Sequence, residues 1–150
     1  MMERKPRPLV DLTANCACGA VSLSFAGKVL SMFMCSCEDC QKATGTGHSS
    51  ILLANPADVT ITGMTKSFAR PANSGATLTR SFCPECGTPL VARSSRAEGV
   101  LMLPAGLFGA ATTGWYAPNQ LIFARSHREW DEIAADLPQR ETYRNQGAMM

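Results

Sequence analysis

The sequence predicts a mainly β domain of antiparallel strands, on three observations. Short apolar runs alternate with small polar residues at the period of two that half-buried strands show. The 12 Gly and 9 Pro are scattered, and Gly, Pro or Asn stands in most of the gaps between those runs. Only one stretch carries apolar residues at helical spacing. With 150 residues, 45% of them hydrophobic and 17% charged, the chain is long enough to bury a core as one domain without disulfide staples.

The elements follow in order. After a polar, Pro-containing lead-in, "CACGAVSLSF" (16–25) turns and then alternates as a strand, and "VLSMFM" (29–34) is a second strand that ends on Cys35. "CEDCQKATG" (37–45) reads as a short helical turn stopped by Gly45. Strands then follow at "SSILLA" (49–54), "DVTITG" (58–63), "KSFAR" (66–70), "TLTRSF" (77–82) and "PLVARS" (89–94). "GVLMLPAGLF" (99–108) reads as one more buried strand, with "LPAGLF" as core rather than pocket wall. The single expected helix is "SHREWDEIAADLP" (126–138). Ser126 and Glu129 form a capping box, Trp130, Ile133, Ala134 and Leu137 share one face, and Pro138 closes the end. That face is expected to cover an open side of the sheet. The tail "RETYRNQGAMM" carries no pattern and is expected to fray.

Several classes are excluded. The basic start "MMERKPRPLV" has no apolar core after it, so no secretion signal is read, and "ERKPRP" is expected to be a solvated tail. The longest apolar stretch, "VLMLPAGLFGAA", contains Pro and Gly and is too short to span a bilayer. The formal charge of +2 is small, and 7% aromatic content offers no basic–aromatic stripe, so no nucleic-acid partner is expected. A cytoplasmic protein is the expectation; its oligomeric state is left open.

The chemistry lies in seven cysteines, grouped as Cys16 and Cys18, as Cys35, Cys37 and Cys40, and as Cys83 and Cys86. In a reducing compartment such spacing points to metal before disulfides. "FCPECGTPL" has the form of a zinc knuckle, with Pro84 setting a tight turn and Gly87 free to take positive φ. If Cys16 and Cys18 face one way from an extended segment, they complete a four-thiolate structural site with Cys83 and Cys86. Cys35, Cys37 and Cys40 then remain, and three ligands with a vacancy are the pattern of a catalytic zinc. Alternatives stay open at this point. His48 can close the trio, the trio can be a redox device, or Cys37 and Cys40 can join Cys83 and Cys86 in a zinc ribbon.

With these residues in view, the chain resembles the glutathione-dependent formaldehyde-activating enzyme family, which includes centromere protein V. The shared pattern is "CxCGAV", then "CxCxxC" followed by "KxxG", then "FCxxCGTPL". It ends with Pro118, Ile122, Phe123, Arg125, Trp130, Leu137 and Pro138. The resemblance implies a β-tent of antiparallel sheets built around zinc, as one domain over 1–150 with an ordered core at about 9–140. It also implies a structural zinc on Cys16, Cys18, Cys83 and Cys86, and a second, catalytic zinc on Cys35, Cys37 and Cys40. Relatives often carry His where this chain has Ser36, so a mechanism built on that His does not carry over.

The function so implied is a zinc-dependent carbon–sulfur lyase acting on a glutathione–aldehyde adduct, with glutathione as cosubstrate and S-hydroxymethylglutathione formed or cleaved. Three soft thiolates suit a metal that must accept a sulfur. Glu38, Asp39 and His48 lie near the trio in sequence, and each is expected to be a solvated loop residue rather than a proton carrier. Two other expectations compete with the lyase. One is a zinc-stabilised binding module with both sites closed; the other is a thiol oxidoreductase working through the trio.

Overall fold

A computed structural model of the chain describes residues 7–72 and 75–143. The start of the basic tail and residues 144–150 of the C-terminal tail lie outside the described residues. Among the described residues, ten strands form two open sheets. The first has three strands, β1 (Leu9–Asn15), β2 (Ser22–Lys28) and β5 (Val59–Thr62), in the order β1-β2-β5. The second adds β3 (Ser31–Cys35), β4 (Ser49–Ala54), β6 (Lys66–Pro71), β7 (Thr77–Phe82), β8 (Pro89–Ser94), β9 (Leu101–Pro104) and β10 (Leu121–Ile122), in the order β10-β3-β4-β9-β8-β7-β6. All pairings are antiparallel except β10 beside β3, which is parallel and makes the larger sheet mixed. Among the described residues no helix is long and apolar enough to cross a membrane.

Period-two alternation divides the interior into two cores. On β4, Leu52 and Ala54 point into the larger core with Leu23 and Phe25 of the small sheet and Leu90 and Leu103 of the large one. Ile51 and Leu53 point the other way, onto Phe33, Ile122, Phe123 and two cysteines, Cys35 and Cys40. The strand is covered on both faces because its apolar run "ILLA" is continuous rather than alternating. Helix α1 (Glu38–Thr44) leaves β3 after two residues. Cys37 is its N-cap, with the Cys40 N–H donating to Cys37 Sγ at 3.2 Å, and Gly45 ends it in the left-handed conformation.

Four sequence expectations need correction. The lead-in is a strand: "LVDLTAN" is β1, burying Leu12 and Ala14 while Asp11 and Thr13 face out. The expected strand over 99–108 stops at Pro104. Ala105–Thr112 then winds as 3-10 turns interrupted at Gly109, and Phe108 still reaches the larger core. No end of the C-terminal tail that is described is frayed: the Phe123 N–H donates to Thr142 O at 2.8 Å and the Arg140 N–H to Leu121 O at 2.9 Å.

The fourth correction is the short C-terminal helix over 126–138, which is not formed. A 3-10 turn ends at Ser126, isolated turns follow, and Trp130, expected on the buried face, is 64% exposed. A helix this short is marginal in water and relies on packing to persist. Here packing favours the extended path, because Pro138, Gln139 and Arg140 run beside Leu121 as an added edge to β10.

Leu52→Ala should therefore cost about 2–5 kcal/mol, since it opens a cavity where β4 meets both sheets. Trp130→Ala should shift stability by less than about 0.5 kcal/mol. Urea denaturation measures both, and a large loss at Trp130 would mean that the segment packs as the sequence pattern had suggested.

Candidate functional site

The seven cysteines gather in two clusters. In the first, the sulfurs of Cys16, Cys18, Cys83 and Cys86 lie within 4.8 Å of one another. Cys16 and Cys18 lie on the turn between β1 and β2, not on an extended segment, so the same-side argument for their pairing does not apply. The turn itself brings their sulfurs to 3.7 Å, and Cys18 is also 3.7 Å from Cys83. On the other side, the Gly87 N–H donates to Cys83 O at 2.8 Å and Gly87 has φ 77°, a value that disfavours any side chain. The cluster joins the β1–β2 turn of the small sheet to the β7–β8 turn of the large one.

The donor set of this cluster fits zinc. Four thiolates at about 2.3 Å from a tetrahedral zinc stand about 3.8 Å apart, close to the spacing found. Donors already point at the sulfurs: the Val21 N–H reaches Cys16 Sγ at 3.2 Å, and Thr88 Oγ1 lies 3.2 Å from Cys86 Sγ. The Thr88 hydroxyl and backbone N–H hold the Cys86 thiol down, at about 5.

The second cluster is Cys35, Cys37 and Cys40, again with sulfurs within 4.8 Å of one another. Cys35 ends β3, Cys37 caps α1 and Cys40 sits in its first turn, so one β-to-α junction delivers all three. Cys37 and Cys40 lie with Cys35 and not with Cys83 and Cys86. Hydrogen bonds from Cys35 and Cys40 hold the Cys37 thiol far below its ordinary range, and the same contacts push Cys35 well above it. Three crowded sulfurs sharing charge in this way suit a bound cation. The buried hydroxyl of Ser36 has no hydrogen-bond partner among the described residues. Ser36 lies between two of the cysteines in sequence, and Ser49 pairs with Cys35 across β3 and β4.

The trio opens on a cavity of about 1090 Å³. Leu103, Pro104 and Leu107 reach its wall, so "LPAGLF" contributes to pocket and core alike. His48 is also on the wall, but its Nδ1 is 2.7 Å from Asp131 Oδ2 and it is not among the atoms gathered around the trio. Glu38 is a solvated residue with its side chain 75% exposed, whereas Asp39 is not. Asp39 holds two arginines. Arg80 donates to its Oδ2 from Nη2 at 2.6 Å and from Nε at 3.0 Å, and Arg70 Nε stands 2.6 Å from Oδ1. Arg80 Nη2 is also 3.8 Å from Cys40 Sγ, so β6 and β7 both brace α1 through Asp39 and β7 reaches the sulfur as well.

Sequence reasoning missed Arg70, Arg80 and Asp131. Arg80 left one trace, a charge inside the strand "TLTRSF" whose neighbours are uncharged. Removing Asp39 leaves two half-buried guanidinium groups without their carboxylate. Asp39→Ala should therefore cost about 1–3 kcal/mol in urea denaturation, and Glu38→Ala about 0–0.5 kcal/mol. Equal losses would mean that the arginine brace does not hold α1.

Comparison with known proteins adds two findings. A crystal structure of a Rhodobacter sphaeroides protein superposes with a TM-score of 0.53 at 14% identity, over 66% of this chain and 89% of that one. At that identity the likeness is one of fold. No curated protein matches the chain. The family model described as glutathione-dependent formaldehyde-activating enzyme matches residues 11–126, a stretch that holds all seven cysteines and α1, and on that match the chain belongs to this family.

Proposed function

We propose that the chain is a zinc enzyme of the carbon–sulfur lyase class that forms or cleaves S-hydroxymethylglutathione. The observation that carries this reading is the trio. Three sulfurs converge on the wall of a large cavity, and among the described residues no fourth protein donor joins them. In this reading Cys16, Cys18, Cys83 and Cys86 hold a closed structural zinc that staples the sheets. Cys35, Cys37 and Cys40 hold the second, which leaves a position for an incoming sulfur. Bound there, zinc would supply a soft Lewis acid that keeps a substrate thiol ionised at neutral pH.

The protein's own part is binding and orientation. A cavity of about 1090 Å³ has room for a tripeptide. Arg70, Arg80, Arg96 and Arg125 outnumber Glu38 and Asp39 on its wall, an excess of positive charge that suits the two carboxylates of glutathione. Cys40, braced by Arg80, and Cys37, fixed as the helix cap, hold the sulfurs in place before substrate arrives. His48 lies outside the group of ligand atoms gathered around the trio, which favours an exchangeable fourth position over the closed binding module. Free thiols are needed throughout, so the reading calls for a reducing compartment such as the cytoplasm.

Zinc analysis of gently purified protein tests this. Wild type should carry two zincs per chain. Cys35→Ser with Cys37→Ser should carry one and remain folded, and glutathione should change the release rate of the second metal in wild type. One zinc per chain, unchanged by either the substitutions or the thiol, would sink the proposal and turn attention to a redox trio.

A further inference from the structure

The segment that replaces the expected C-terminal helix brings Asp131 against His48. Asp131 is 8% exposed, and its Oδ2 lies 2.7 Å from His48 Nδ1. Gly47 makes the approach possible: a Cβ at that position would fall 2.4 Å from Asp131 Cγ, so any other residue would drive the carboxylate away. The segment is anchored to α1. Gln41 Nε2 donates to Ser36 O at 2.8 Å and to Ser126 O at 3.0 Å, and Arg128 Nε donates to Gln41 Oε1 at 3.0 Å. His127 Nε2 lies 2.6 Å from Asp131 O, which ties the turn that carries the carboxylate.

The ring so held is on the wall of the same cavity as Cys35, Cys37 and Cys40. His48 immediately precedes Ser49, whose Cα pairs with that of Cys35 across the sheet. With Nδ1 committed to a carboxylate, Nε2 is the nitrogen left to exchange a proton, and it has no hydrogen-bond partner among the described residues. A carboxylate that fixes the tautomer and orientation of an imidazole beside a reacting group is the arrangement general acid–base catalysis uses.

We infer that His48 is the general acid–base for the adduct, with Asp131 as the residue that positions its ring; this rests on the zinc–glutathione reading above. In the forming direction the thiol proton passes to His48 Nε2 and the sulfur electron pair makes the C–S bond to formaldehyde carbon. The carbonyl π pair moves to oxygen, and that oxygen takes the proton back from His48 to give the hydroxymethyl group. Cleavage runs the same path in reverse. His48 takes the hydroxyl proton, the C–S pair returns to sulfur and the aldehyde leaves. No oxidant or reductant enters.

The same contact would also serve a plain latch between two loops, and substitution separates the two roles. Asn at position 48 can still donate to Asp131 but cannot exchange a proton. In zinc-loaded protein, His48→Asn should lower kcat for S-hydroxymethylglutathione cleavage by about 10²–10⁴-fold, with zinc content and Tm unchanged. Added imidazole should restore part of the rate to His48→Ala. Asp131→Asn should lower kcat with KM held; a rise in KM with kcat held would make the pair a binding latch and overturn the assignment. Activity of His48→Asn within about threefold of wild type would overturn it as well, leaving the zinc–glutathione reading intact. Wild type with two zincs and no turnover would overturn both.

Discussion

The structure depends on β4 being covered on both faces. Its side chains alternate between two cores, so the strand that packs Leu52 against the small sheet also packs Ile51 and Leu53 beneath the cysteine trio. A sheet with one wet face would leave Cys35 and Cys40 in water, where crowded thiols are readily solvated and readily oxidised. The second core instead surrounds them with Phe33, Ile122 and Phe123. Stability and chemistry are thus coupled through one strand, and a change in its packing reaches both.

The two cysteine clusters solve different problems. The first joins turns from separate sheets across more than sixty residues of sequence, a contact that backbone hydrogen bonds alone do not provide. Its partners are mostly backbone N–H groups and Thr88, which any tight turn of this sort supplies. The trio is drawn from a single junction, and what surrounds it is specific: two arginines on one aspartate, a guanidinium near a sulfur, and a backbone tie from Ser36 N–H to Ile122 O at 3.0 Å. Phe123, next along, is held at φ 56° with its ring edge-on to Tyr143. Strain of this kind in a non-glycine residue costs on the order of 1–3 kcal/mol and persists where surrounding contacts impose it.

Much of the strand order was legible because alternation and turn residues are local signals. β4, β7 and β8 begin and end where the sequence pattern places them, and α1 ends at the Gly that the pattern also names. What was not legible depends on distant partners. Trp130, Ile133 and Leu137 have helical spacing, yet the segment is drawn out by pairing with β10 and by the reach of Asp131 to His48. β1 was hidden by Asp11 and Thr13 on its outer face. Arg80 and Asp39 meet across 41 residues, and no short motif announces such a pair. His48 looks like an ordinary loop residue until Gly47 is seen to leave space for a carboxylate.

The strap formed by residues 126–143 has an evolutionary consequence. Residues 126–143 reach α1 through Ser126 and Arg128 and reach His48 through Asp131, while all seven cysteines lie earlier in the chain. Selection can therefore rewrite the cavity's outer wall, and the orientation of whatever side chain follows Gly47, without replacing a single cysteine. A cysteine frame beneath a separately encoded wall is a route by which a scaffold can change what its cavity admits without changing the sulfurs that line it.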